Sequence, residues 1–106
     1  MSSNNSDLNI VKNVRIIEWL KAELLSAIGA LFKAMLKNSE EAILDALAHL
    51  IMACYFLGKR LGFSYTKVDA RIEQRLESPE MQEHEIEDWY GDVSNLLQYV
   101  KERNRY

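Results

Sequence analysis

Apolar residues recur along the N-terminal third of the chain at steps of three and four: Ile16, Ile17, Leu20, Leu24, Ile28, Leu31 and Met35. That spacing predicts one amphipathic helix from about Leu8 or Asn13 to Lys37. Asp7 and Asn13 are both suitable N-caps, and the length favours a break near Lys12-Asn13. A second helix is predicted from Ser39 to Leu61. Ser39 suits the N-cap, Glu40-Glu41 place negative charge in the first turn, and Gly62 suits a left-handed end. Only a tight turn at Asn38 separates the two, so they should form an antiparallel hairpin. A third helix is expected from Ser64 to about Glu77, with Val68, Ile72 and Leu76 as its stripe and Arg71 and Arg75 on a solvated face. A fourth starts at Ser78-Pro79 and strengthens through Ile86, Trp89, Val93, Leu96, Leu97 and Val100, with Gly91 weakening its middle. The run Glu80 to Glu85 is acidic and suits a loop, which would leave His84 exposed. Strand-type alternation is absent. The expected fold is all-α: an antiparallel bundle of four to five helices with an apolar central helix.

That central helix carries the sharpest expectation. Of the 16 residues from Ala42 to Leu57, 14 are apolar; the exceptions are Asp45 and His49. A helix apolar on every side is surrounded on every side. Three neighbours rarely cover a helix in so short a chain, so a second copy should cover the rest. The expectation is a homo-oligomer, dimer or tetramer, joined through residues 39–61. Asp45 and His49 are four apart and share a face. A buried carboxylate needs a partner or a cation. Two readings follow: a hydrogen-bonded structural pair, or a metal or phosphate site.

Composition narrows the classes. The 106 residues are one domain's worth, and 48% hydrophobic content supports a core without disulfides. Residues 1–7 are polar and read as a frayed start, leaving residues 8–106 as a single domain. The net charge of −3 argues against nucleic-acid binding, which needs a basic face. The longest apolar stretch is short of a membrane span and contains Asp45 and His49, so no membrane association is expected. The single cysteine, Cys54, lies in that stretch and reads as a buried hydrophobe. One unpaired cysteine without a signal peptide fits the cytoplasm.

The segment Ile17-Glu-Trp-Leu-Lys-Ala-Glu-Leu-Leu-Ser26, then Glu40-Glu-Ala-Ile-Leu-Asp-Ala-Leu-Ala-His-Leu50, then Leu57-Gly-Lys-Arg-Leu-Gly-Phe-Ser64, resembles the MazG-like proteins of the all-α nucleoside triphosphate pyrophosphohydrolase superfamily. With Trp89-Tyr-Gly-Asp92 and the last helix, it resembles their short, stand-alone bacterial group. The resemblance covers roughly residues 10–103. It implies paired motifs, EExxE on one helix and ExxD on the next, whose carboxylates hold magnesium. The ion in turn holds a triphosphate and activates water. Here Glu23 matches the second Glu of the first motif, while Ala22 and Ser26 replace the others. Asp45 matches the final Asp, Ala42 replaces the Glu three before it, and Glu41 is an adjacent stand-in. The candidate ligands are therefore Glu23, Glu41 and Asp45, with His49 behind Asp45. No catalytic residue is assigned. In a hairpin turning near Asn38, Asp45 lies about 10 Å from the turn and Glu23 about 22 Å, so the two are not level. The resemblance thus implies a helical protein with a degenerate metal site: a non-catalytic oligomeric module that binds a nucleotide or a protein partner. The alternative is an active pyrophosphohydrolase, with Mg2+ as its cofactor.

Overall fold

A computed structural model describes residues 2–104, with side chains from Ser6 onward. Part of the expected frayed start therefore lies outside the described residues. Among the described residues the chain is all-α, with six helices: α1 (Ser2–Lys37), α2 (Glu40–Arg60), α3 (Tyr65–Leu76), α4 (Pro79–Gln82), α5 (Glu85–Tyr90) and α6 (Asp92–Asn104). They form two compact units, one ending at Phe63 and the other beginning at Ser64.

The first unit is the α1–α2 hairpin. α1 is continuous through Asn13, so neither Asp7 nor Asn13 caps its start and no break occurs there. It ends where Asn38 adopts φ 56°. Asn38 N–H donates to Met35 O and Ser39 N–H donates to Ala34 O, each at 3.2 Å. These two bonds satisfy carbonyls at the helix end, and asparagine tolerates the left-handed turn they require. Ser39 then begins α2, its side chain accepting from Ala42 N–H. The other end of α2 closes in the same way, with Gly62 at φ 99° and Phe63 N–H donating to Gly58 O at 2.9 Å.

Two bonds fix the hairpin register. Asn13 Nδ2 donates to Arg60 O at 3.0 Å, and Glu23 meets His49 nearer the turn. Continuing that register inward places Leu20 level with Ala53 and Ala27 level with Ala46. Leu20, Ala27, Ala34, Ala46 and Ala53 are the buried residues of this unit. On each helix they recur every seven positions, the repeat of a coiled-coil seam. Alanine at the crossing lets the axes approach toward the short end of the usual range of about 8–10 Å.

Within the single chain the seam covers one side of α2 only: Ala46 and Ala53 are buried, while Leu44 is 64% and Ile51 58% exposed. Cys54, expected to be buried, is exposed. The seam needs small residues at the contact, so the large side chains of α2 point elsewhere. By length and composition alone, α2 is long and apolar enough to cross a membrane.

The second unit buries Leu76, Val93 and Val100, with Ile72, Met81 and Leu97 packed against them. The expected single fourth helix is three. Ser78 and Pro79 do start a helix, but it ends at Gln82. His84 is not a plain loop residue: its Nδ1 accepts from Ile86 N–H and caps α5. Gly91 does not sit inside a helix. At φ 67° it closes α5 through Gly91 N–H to Glu87 O, 2.8 Å. The Glu87 carboxylate then reaches the first turn of α6, accepting from Ser94 N–H at 3.0 Å and from the Ser94 hydroxyl. Those bonds, the hydroxyl first, hold the Glu87 carboxyl below the ordinary glutamate value. Arg103 pairs with the largely buried Asp69 side chain at 3.0 Å, tying α6 to α3.

Candidate functional site

The four candidate residues all lie on the hairpin. Glu23 and His49 each immediately precede a half-buried leucine that lies between the fully buried seam residues of its helix, Leu24 and Leu50. Asp45 likewise precedes Ala46. One residue back from the seam is a rotation of about 100° on either helix. Because the helices are antiparallel, these rotations carry all three residues to the same face of the hairpin.

On that face, His49 Nε2 and Glu23 Oε2 are 2.9 Å apart. Both are partly exposed, 46% for the histidine side chain and 31% for the glutamate. When His49 is protonated the pair is a salt bridge; when it is neutral, Nε2–H donates to the carboxylate. The expected Asp45–His49 pair does not form. Asp45 is exposed, and among the described residues it has no hydrogen-bond or ion-pair partner. The reason is register: His49 turns toward α1, where Glu23 is level with it, rather than back along its own helix.

The three carboxylates are consequently spread out. Asp45 is one turn nearer the hairpin bend than His49, about 6 Å along the axis, and Glu41 lies a further turn away. Level with Asp45 and Glu41 on α1 are residues near Ala27 and Leu31, among which there is no carboxylate. Among the described residues, no group of three His, Cys, Asp or Glu side chains is placed to hold a metal ion. Magnesium demands near-octahedral oxygen coordination, usually through one or two carboxylates with substrate and water. The donor set within one chain does not gather around a common point.

The Glu23–His49 contact was missed from the sequence. Counting equal distances outward from Asn38 sets Glu23 opposite Ala53, four residues beyond His49, so the count alone does not find the contact; the register marked by the Asn13–Arg60 bond does.

A family model described as the MazG-like family matches residues 10–93. No curated protein and no solved structure matches the chain.

Proposed function

The chain belongs to the MazG-like family, and from that premise we propose a non-catalytic member. In this reading it is a self-associating helical module that binds a nucleotide or a protein partner without hydrolysing it. The cytoplasm is its proposed location. One observation carries the reading. Glu23, the carboxylate that matches the first metal-binding motif, is hydrogen-bonded to His49 at 2.9 Å and stands a turn away from Asp45. Ala22, Ser26 and Ala42 occupy the positions where the motifs call for the remaining carboxylates. A magnesium-dependent attack on a triphosphate needs the ion to hold phosphate oxygens and polarise water at one point. Two separated carboxylates do not provide that point.

Self-association draws support from the large apolar side chains that α1 and α2 leave exposed, Leu25, Phe32, Leu36, Leu44 and Ile51 among them.

Titration calorimetry with nucleoside triphosphates, with and without magnesium, tests the reading, followed by a pyrophosphate-release assay. Heat of binding without release of pyrophosphate is the expected result. Metal-dependent turnover that disappears in Asp45→Asn would overturn it. If no nucleotide binds, the protein-partner arm of the reading is the one to pursue.

A further inference from the structure

Between Arg75 and Lys101 the chain runs for 25 residues without a lysine or arginine and with seven carboxylates, which leaves the remainder of the chain net positive. The middle of that stretch, from α4 through α5 to the start of α6, carries Glu80, Glu83, Glu85, Asp88 and Asp92, all exposed. None of these five side chains has a hydrogen-bond or ion-pair partner among the described residues. Two large rings stand in the same segment, Trp89 at 68% and Tyr90 at 69% exposed. They meet edge to face, with centroids 6.4 Å apart and planes at 84°. Such a pair contributes little by itself, and rings this exposed keep most of their apolar surface in water. The core of the unit does not use them: Leu76, Val93 and Val100 are buried without either ring. Yet the segment that presents them is firmly set. His84 caps α5, Gly91 closes it, and Glu87 ties it to Ser94. An aromatic pair held this way costs a partner little ordering entropy.

We propose that this surface docks a basic protein segment, rich in arginine and lysine. Tryptophan and tyrosine are enriched at the energetic centres of interfaces. Their ring faces attract cations, the indole most strongly. The unit already makes one such contact internally, with the Arg103 guanidinium 5.7 Å from the centroid of the Tyr99 ring. Glu85 stands one turn before Trp89 on α5 and Asp88 is its chain neighbour, so a cation over the indole has carboxylates close by. The sign of the surface selects among partners. Nucleic acid and anionic lipid both require positive charge on the protein, and residues 76–100 hold no lysine or arginine. The spread of the charges selects a segment over a single ion. The free carboxylates are strung along residues 80–92, and among the described residues no three acidic, histidine or cysteine side chains are placed to hold a metal ion. A run of basic residues matches such a row. The surface belongs to the second unit and the Glu23–His49 face to the first, so the proposal goes beyond the reading above and does not depend on nucleotide binding.

The full-length protein at physiological salt, titrated into a fluorescein-labelled oligoarginine peptide and followed by anisotropy, provides the test. The peptide should bind, and an oligoglutamate peptide of the same length should not. Trp89→Ala leaves the net charge unchanged and should weaken binding by roughly five-fold, with Tyr90→Ala acting in the same direction. Glu85→Gln combined with Asp88→Asn should weaken it comparably. Glu18→Gln combined with Glu40→Gln makes the same change in net charge on the first unit and should leave binding as it was. Circular dichroism checks that each variant stays helical. A readout without any change at the surface comes from Trp19→Phe, which leaves Trp89 as the chain's single indole. Its emission should be that of a wet indole in the free protein and should shift when oligoarginine is added. No binding of oligoarginine would overturn the proposal. So would full binding by both Trp89→Ala and Tyr90→Ala, or equal weakening in the two double variants, which would reduce the effect to net charge. A blue-shifted, peptide-insensitive Trp89 would show the rings already covered by the protein itself and would overturn it too.

Discussion

The α1–α2 hairpin fully buries only Leu20 and four alanines, with large aliphatics such as Leu24 and Leu50 half-buried beside them and Leu25, Leu36 and Leu44 exposed, whereas α3–α6 buries the larger Leu76, Val93 and Val100 and exposes mainly aromatic rather than aliphatic bulk, Trp89, Tyr90 and Tyr99 among it. Both units are helical, but their cohesion differs. In the hairpin, stability comes from the close approach of two long backbones along an alanine seam. In the second unit α4 and α5 span only 4 and 6 residues, and short helices are marginal on their own. There, a few large side chains and a dense set of caps do the holding: Ser64, Ser78, His84, Gly91 and the Glu87–Ser94 bonds. A seam of small residues tolerates no added volume; a core of few large residues tolerates no loss of it.

This contrast is open to test by substitution. Leu76→Ala should cost the most, about 3 kcal/mol, because it opens a cavity in a core with few other large members. Chemical denaturation followed by circular dichroism measures it. Ala46→Leu should cost about 2 kcal/mol by the opposite cause, overfilling a contact already 93% buried from solvent. Were Ala46→Leu neutral, the close-packed seam would be wrong. Gly91→Ala should cost about 1 kcal/mol. The space beside it is open, the nearest side-chain atom to an added Cβ being Asn95 Nδ2 at 4.0 Å, so the loss is purely one of backbone conformation at φ 67°.

Smaller effects separate the units by pH. The Glu87 carboxyl is held below its ordinary value by Ser94. Its stabilisation is fully present above that ordinary value and is lost as pH falls through the depressed native one. Stability measured across the acid range should therefore fall less steeply in Glu87→Gln than in the wild type; equal slopes would remove Glu87 from the account. Glu23→Gln should change stability least, by less than about 1 kcal/mol, since its contact with His49 is partly solvated.

The helix ends were readable because they depend on local chemistry. Ser39, Ser64 and Ser78 each cap the helix the sequence assigns them, and Gly62 takes the left-handed end. Local reasoning erred where one residue type has two uses. Gly91 weakens a helix interior but suits a helix end equally well, and the stripe from Ile86 to Val100 ran unbroken across that end. The pairing of Asp45 with His49 erred for a different reason. Spacing of four identifies neighbours on one helix, but a histidine between two helices selects the partner that the register brings level.

The sequence alone determined the all-α class, the tight hairpin at Asn38 and the MazG-like resemblance, since periodicity, capping residues and motif spacing are properties of the chain itself. Tertiary structure decided which apolar residues are inside. Fourteen apolar residues in sixteen say that α2 avoids water, but not that the alanines win the contact with α1 and turn Leu44, Leu47 and Ile51 outward. It likewise decided that Glu23 meets His49 and not Asp45. Both outcomes follow from how closely two helices can approach and at what register, a quantity no single helix carries.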